Sequence, residues 1–143
     1  GLQFSYHGAY GRGNTPDAPR WVLNSGFASF ETQHMTLTST YLNSLGNSHG
    51  TLVDESGTAV RLEGYSFFGE IKSSCRKFAL FGRHDHLNSI DENPKREFTR
   101  WIGGLAYYFD GKSKVIFNYD TYLEDITAER IESRFELAVE LRY

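Results

Sequence analysis

Phe135-Glu136-Leu137-Ala138-Val139-Glu140-Leu141-Arg142-Tyr143 alternates without a break. Phe135, Leu137, Val139, Leu141 and Tyr143 share one side of an extended strand, and Glu136, Ala138, Glu140 and Arg142 share the other. One side suits hydrocarbon and the other suits water. A strand with this pattern can stand between an apolar phase and an aqueous one.

The same period of two recurs upstream. It predicts strands over Leu2–Gly11, Trp21–Phe30, Met35–Leu45, Val60–Ile71, Lys77–Leu87, Phe98–Phe109, Lys114–Leu123 and Arg130–Tyr143. Each has the length a tilted strand needs to cross a hydrocarbon core. Nine Tyr, eleven Phe and two Trp among 143 residues favour β-structure over a helical bundle. The longest apolar stretch, Trp101 to Phe109, is too short for a membrane-spanning helix, which needs about 18 such residues. The chain opens without a charged and apolar leader, and so reads as a mature or trimmed form.

The connections alternate. Residues 12–19, 46–59, 88–97 and 124–129 are long, whereas 31–34, 72–76 and 110–113 are tight. Membrane barrels segregate their loops in this way, with extended loops outside the cell and clipped turns in the periplasm. The expected fold is therefore all-β: an antiparallel up-and-down transmembrane β-barrel, eight strands in this chain, as one domain over 1–143.

The faces follow from parity. Leu2, Phe4, Tyr6 and Tyr10 oppose Gln3, Ser5, His7 and Ala9; Trp101, Leu105 and Tyr107 oppose Arg100, Gly104 and Ala106. A soluble ligand-binding barrel would turn the aromatic face inward. Small residues on the polar face suit a crowded interior instead, and Tyr10, Trp21, Phe109 and Tyr143 suit interfacial girdles. The charges then expected to face the lumen are Arg83, Arg100, Lys114, Arg134 and Arg142 with Glu70, Asp85, Asp120, Glu136 and Glu140, five of each sign. Balance is what an interior pairing network requires, because an unpaired charge there costs several kcal/mol.

From the fifth strand onward a family resemblance is visible. Leu80-Phe81-Gly82-Arg83-His84-Asp85-His86-Leu87 resembles the Leu-Phe-x-Arg-Tyr-Asp stretch of Gram-negative porins, particularly the phosphate-selective porin family and its relatives. Trp101 to Phe109 is similar to the next strand of those proteins, Val115 to Asp120 to their penultimate strand, and Arg134 to Tyr143 to their closing strand. His84 stands where the family usually has Tyr, and such porins are about twice as long, with sixteen or more strands.

The resemblance implies passive solute transport in the outer membrane, with Arg83, Arg100, Arg134 and Arg142 drawing anions if further strands complete a pore. It implies outer-membrane lipid, lipopolysaccharide and the barrel-assembly machinery as partners, and leaves room for a homo-oligomer. A closed eight-stranded barrel with a structural or adhesion role is the alternative, since its interior is only wide enough for side chains.

Other chemistry is sparse. His84-x-His86 has metal-binding spacing but no third ligand nearby, and no cofactor motif appears. A lipid-modifying enzyme could draw on His84, His86, Ser89 and Glu97, although their order matches no nucleophile motif. Asp54-Glu55 and Glu124-Asp125 are expected in outer loops, where they could share divalent cations with lipopolysaccharide. Cys75 is alone, so no intrachain disulfide forms; it is a turn thiol or a link to another chain. A net charge of −3 without a basic patch argues against nucleic acid.

Overall fold

The computed structural model describes the chain apart from residues 92–95, 110–112, 126–129 and 143, and apart from the side chains of residues 125, 130 and 131. Eight strands follow one another: β1 (Leu2–Arg12), β2 (Arg20–Glu31), β3 (Met35–Leu45), β4 (Arg61–Lys72), β5 (Phe78–Ser89), β6 (Glu97–Tyr108), β7 (Lys114–Asp125) and β8 (Arg130–Glu140). They form a single antiparallel up-and-down sheet in chain order. β1 and β8 make no contact with each other among the described residues, so the sheet is open.

Alternation produces this sheet because a shift of one residue would carry every ring to the opposite side. The ladder runs from Leu2 to Phe30, Leu37, Gly69, Gly82, Gly103, Tyr119 and finally Phe135, all on one face. Every exposed large hydrophobic residue lies on that face, from Phe4 and Tyr10 on β1 to Leu137 and Val139 on β8. The opposite face is the more sheltered one, where Phe27, Leu42, Phe68, Phe81 and Ile102 are half-buried. Only Val60, Ala79 and Ala106 are fully buried apolar residues among those described, so no ordinary hydrophobic core forms.

The aromatic band slants across the sheet. It starts at Leu2 and climbs to Tyr10 on β1, but on β8 it starts at Phe135 and descends to Leu141, although Leu2 and Phe135 share a ladder. A drop of about eight residues over seven interstrand steps corresponds to a strand tilt of about 38° at ~3.3 Å per residue and ~4.8 Å per strand, inside the range of barrels. Along the strand the band is about 26 Å, or about 21 Å along an axis tilted by that angle, near the roughly 25 Å of outer-membrane barrels.

Three expectations change, the first being closure: the eight expected strands form one open sheet among the described residues and not the closed barrel expected. Trp21 does not join the aromatic band: it pairs with Gly11 on the sheltered face, because the β1–β2 register puts the odd residues of β2 there. Its indole covers Gly11, where an added Cβ would sit 2.8 Å from Nε1. The connection between β7 and β8 shrinks to residues 126–129, which lie outside the described residues, because β7 continues through Glu124 and Asp125. Tyr143 also lies outside them.

The connections over residues 12–19 and 46–60 fold tightly. Val53 bridges Ala59, and Val60 N–H donates to Leu52 O (3.2 Å), making residues 46–60 a small hairpin. The first loop docks against it at Gly13 and Gly50, where a Cβ on Gly13 would come within 2.5 Å of the Gly50 Cα.

Candidate functional site

The sheltered face holds the charges expected to face inward, while Arg12, Arg20, Arg61, Glu63 and Glu97 share the parity of the aromatic face. Strand parity places Glu70, Arg83, Asp85, Arg100, Lys114, Asp120, Arg134, Glu136 and Glu140 on it, and Arg142 joins Glu140 just beyond β8. All ten are ion-paired, in separate groups along the sheet.

The central group is built on Asp120. Arg100 donates to it from Nε (2.8 Å) and from a terminal nitrogen (2.7 Å). Arg134 approaches the same carboxylate from β8 at 3.0 Å and reaches Glu136 at 2.8 Å. On the neighbouring strand Arg83 holds Asp85 at 2.8 Å. Nearer the tight turns, Lys72 pairs with Glu70 (3.1 Å) and Lys114 with Glu140 (3.1 Å). Both lysines also lie over the Tyr108 ring.

Formal balance hides an asymmetry. The Asp120 side chain is 3% exposed and that of Asp85 is 16%, whereas those of Arg83 and Arg134 are 48% and 63%. At these two pairs the acid is recessed and the guanidinium projects, whereas Glu136 and Glu140 are themselves partly open. Shielding by the wall makes a recessed carboxylate count less to a solute than a projecting cation.

The sequence reading omitted Lys72, Glu124 and Glu132, which share this face by register. Lys72 was legible, since it stands two residues from Glu70 on one strand. Glu124 was assigned to a loop and sits in β7 instead.

His84 and His86 are on the aromatic face. His84 stacks on Trp101 with centroids 3.9 Å apart, and its Nδ1 is buried without a hydrogen-bond partner among the described residues. His86 Nδ1 lies 3.2 Å from Thr99 Oγ1 and 3.7 Å from Glu97 Oε1. Ser89 is fully buried on the opposite face, where its Oγ accepts from the Arg96 amide at 2.8 Å. His84, His86, Ser89 and Glu97 therefore do not converge on one reacting centre. Among the described residues no group of three or more His, Cys, Asp or Glu is placed to hold a metal.

Asp54 and Cys75 occupy connections. The Asp54 carboxylate accepts from Ser56 Oγ (2.6 Å), Ser56 N (2.8 Å) and Thr58 N (2.9 Å). The Ser56 hydroxyl, followed by the Thr58 amide, holds the carboxyl below its ordinary value. Cys75 is exposed in the β4–β5 turn, and the Ser73 hydroxyl, followed by the Lys77 amide, lowers its thiol.

No protein-family model, no curated protein and no solved structure matches this chain.

Proposed function

We propose that the chain forms the wall of a bacterial outer-membrane pore for passive solute transport. One observation carries this reading: every exposed large hydrophobic residue faces one way, and the paired charges face the other. A water-soluble protein seldom exposes an apolar patch beyond a few hundred Å², and this one extends over all eight strands. Lipid covers such a band without cost, and the slant and height of the band match those of barrel walls. Among the described residues no helix is long and apolar enough to cross a membrane, so in this reading the strands are the spanning elements.

The resemblance of β5 to β8 to porin strands agrees with this assignment. The projecting Arg83 and Arg134 favour anionic solutes over cationic ones, by the rule that a ring of positive side chains selects anions. Outer-membrane lipid and lipopolysaccharide are the surrounding partners, and the barrel-assembly machinery inserts the chain through the β8 pattern.

Reconstitution into planar bilayers tests the proposal. Discrete conductance steps are expected, with a reversal potential displaced toward anion permeation under a salt gradient. Correctly folded, heat-modifiable protein that inserts but never conducts would leave the second reading, a non-conducting structural or adhesive barrel. Protein that remains monomeric and dispersed without detergent would remove both.

A further inference from the structure

β1 and β8 each offer an unpaired edge along their whole length. In an antiparallel sheet a residue directs its N–H and C=O to one neighbour, and the next residue directs them to the other. The β2 side of β1 uses the residues of the sheltered face, as the bond from Glu31 N–H to Gly1 O shows. Phe4, Tyr6, Gly8 and Tyr10 therefore carry the free groups. The β6–β7 turn bonds Phe109 N–H to Ser113 O, so the even residues of β7 serve β8. Phe135, Leu137 and Val139 are left with free groups on the outer edge of β8. In hydrocarbon each unmet group costs several kcal/mol, so a membrane wall cannot keep such edges.

We infer that the β1 edge is covered by β8 of a second copy of this chain, and the reverse, so that two copies close one sixteen-stranded barrel. The inference rests on the pore reading. Both edges present their free backbone groups at residues of the aromatic face, so joining them keeps the aromatic face outward and the ion-paired face inward. The slant of the band brings its upper limit on β8, Phe135, level with its upper limit on β1, Tyr10, to within about one residue. Parity and the match of ring against ring then set the register: Tyr10 opposite Phe135, Tyr6 opposite Val139 and Phe4 opposite Leu141. On the inner side His7 faces Ala138.

A second copy fits better than the chain's own β8. Eight strands at this tilt close at a backbone radius of about 8 Å, which side chains fill, whereas sixteen close at about 16 Å and leave an aqueous lumen. The projecting Arg83 and Arg134 side chains need the wider interior. A head-to-tail contact used twice forms a closed two-fold ring.

The seam can be read by disulfide formation, since facing residues that are not hydrogen-bonded to each other stand about 4.5 Å apart at Cα, within disulfide reach. In a Cys75→Ser background, chains carrying His7→Cys are mixed with chains carrying Ala138→Cys, refolded in detergent and oxidised. A denatured, non-reduced band at twice the chain mass is expected. Pairing of His7→Cys with Glu140→Cys instead, a slip of two residues, would overturn the register. A doubly substituted His7→Cys, Ala138→Cys chain that links only within itself would assign the seam to one chain and overturn the two-copy barrel. The absence of any link in protein that still shows heat-modifiable migration would also overturn it, giving the edges to other strands. Native mass spectrometry of the unaltered protein in detergent provides an independent reading, with twice the chain mass expected and a monomer mass overturning the inference. Conductance without the crosslink would sink this inference alone, whereas failure to enter a bilayer would sink the pore reading.

Discussion

Arg100 grips Asp120 through two nitrogens, at 2.8 and 2.7 Å, one diagonal step across β6 and β7. This bidentate geometry fixes both side chains, and Arg134 shares the carboxylate through Oδ2. The strands β6, β7 and β8 are thereby tied on the charged face as well as through their backbones.

Removing the shared acceptor should cost more than removing one donor. Asp120→Ala leaves Arg100 and Arg134 facing each other without their carboxylate, and we expect a loss of about 2 kcal/mol after discounting for the solvent reaching both arginines. Arg134→Ala should cost less than about 1 kcal/mol, because that side chain is largely exposed. Urea titration of the folded protein in detergent, followed by heat-modifiable migration, measures both. Equal losses would contradict the central place given to Asp120.

The aromatic face supplies a test that separates lipid from water. Phe117→Arg places a cation in the middle of the band and should cost about 2–4 kcal/mol of folding stability in vesicles. On a water-facing surface the same change would be worth no more than about 0.5 kcal/mol. Folding yield into vesicles across a urea series distinguishes the two values.

Gly103 and Gly104 are neighbours in sequence with opposite tolerance. A Cβ on Gly104 would meet Phe117 O at 2.5 Å and the Phe81 ring at 2.7 Å, while one on Gly103 meets nothing within 4 Å. Gly104→Ala should therefore destabilise by about 1–3 kcal/mol through overpacking, and Gly103→Ala should be neutral or slightly favourable. Paired unfolding curves give the comparison directly.

Cys75 reports on both chemistry and sidedness. Its thiol is lowered chiefly by Ser73, so thiolate persists to lower pH than for an ordinary cysteine. The pH midpoint of maleimide labelling should lie below that of an ordinary cysteine and move upward in Ser73→Ala. In the proposed orientation, which puts the tight turns in the periplasm, an impermeant maleimide should spare Cys75 in intact cells and label it once the outer membrane is breached. Labelling of intact cells would reverse the assigned orientation.

The hairpin over residues 46–60 should be acid-sensitive. Its Asp54 carboxyl lies below the ordinary value, so the turn gains stability that is fully present above the unfolded value of about 3.9 and is lost as pH falls through the lower folded value. An acid-active protease should begin to cut within 46–60 only in that acidic window. Asp54→Ala should open the same site at neutral pH.

Much of this was written in alternation alone. Period two assigns each residue between Phe135 and Leu141 to a side without reference to any other strand, and the same holds for Arg83 with Asp85 and for Trp101 with Leu105. Eight amphipathic strands and their common charged face follow from that local rule. Trp21 escaped it because β2 mixes apolar residues on both sides, with Trp21, Leu23 and Phe27 interleaved with Val22 and Ala28, so parity gave no preference until the pairing with β1 imposed one.

What only the tertiary structure decided is who meets whom across strands. The triad of Arg100, Asp120 and Arg134 joins residues from separate strands, and its existence depends on the interstrand register, a long-range quantity that the composition of one strand does not encode. The recession of Asp85 behind Arg83 and of Asp120 behind Arg134 is likewise invisible in a balanced charge count, because exposure is set by curvature and neighbours. The open edges of β1 and β8 belong to the same level of organisation, since a strand's sequence states which face it shows but not which backbone it will hydrogen-bond.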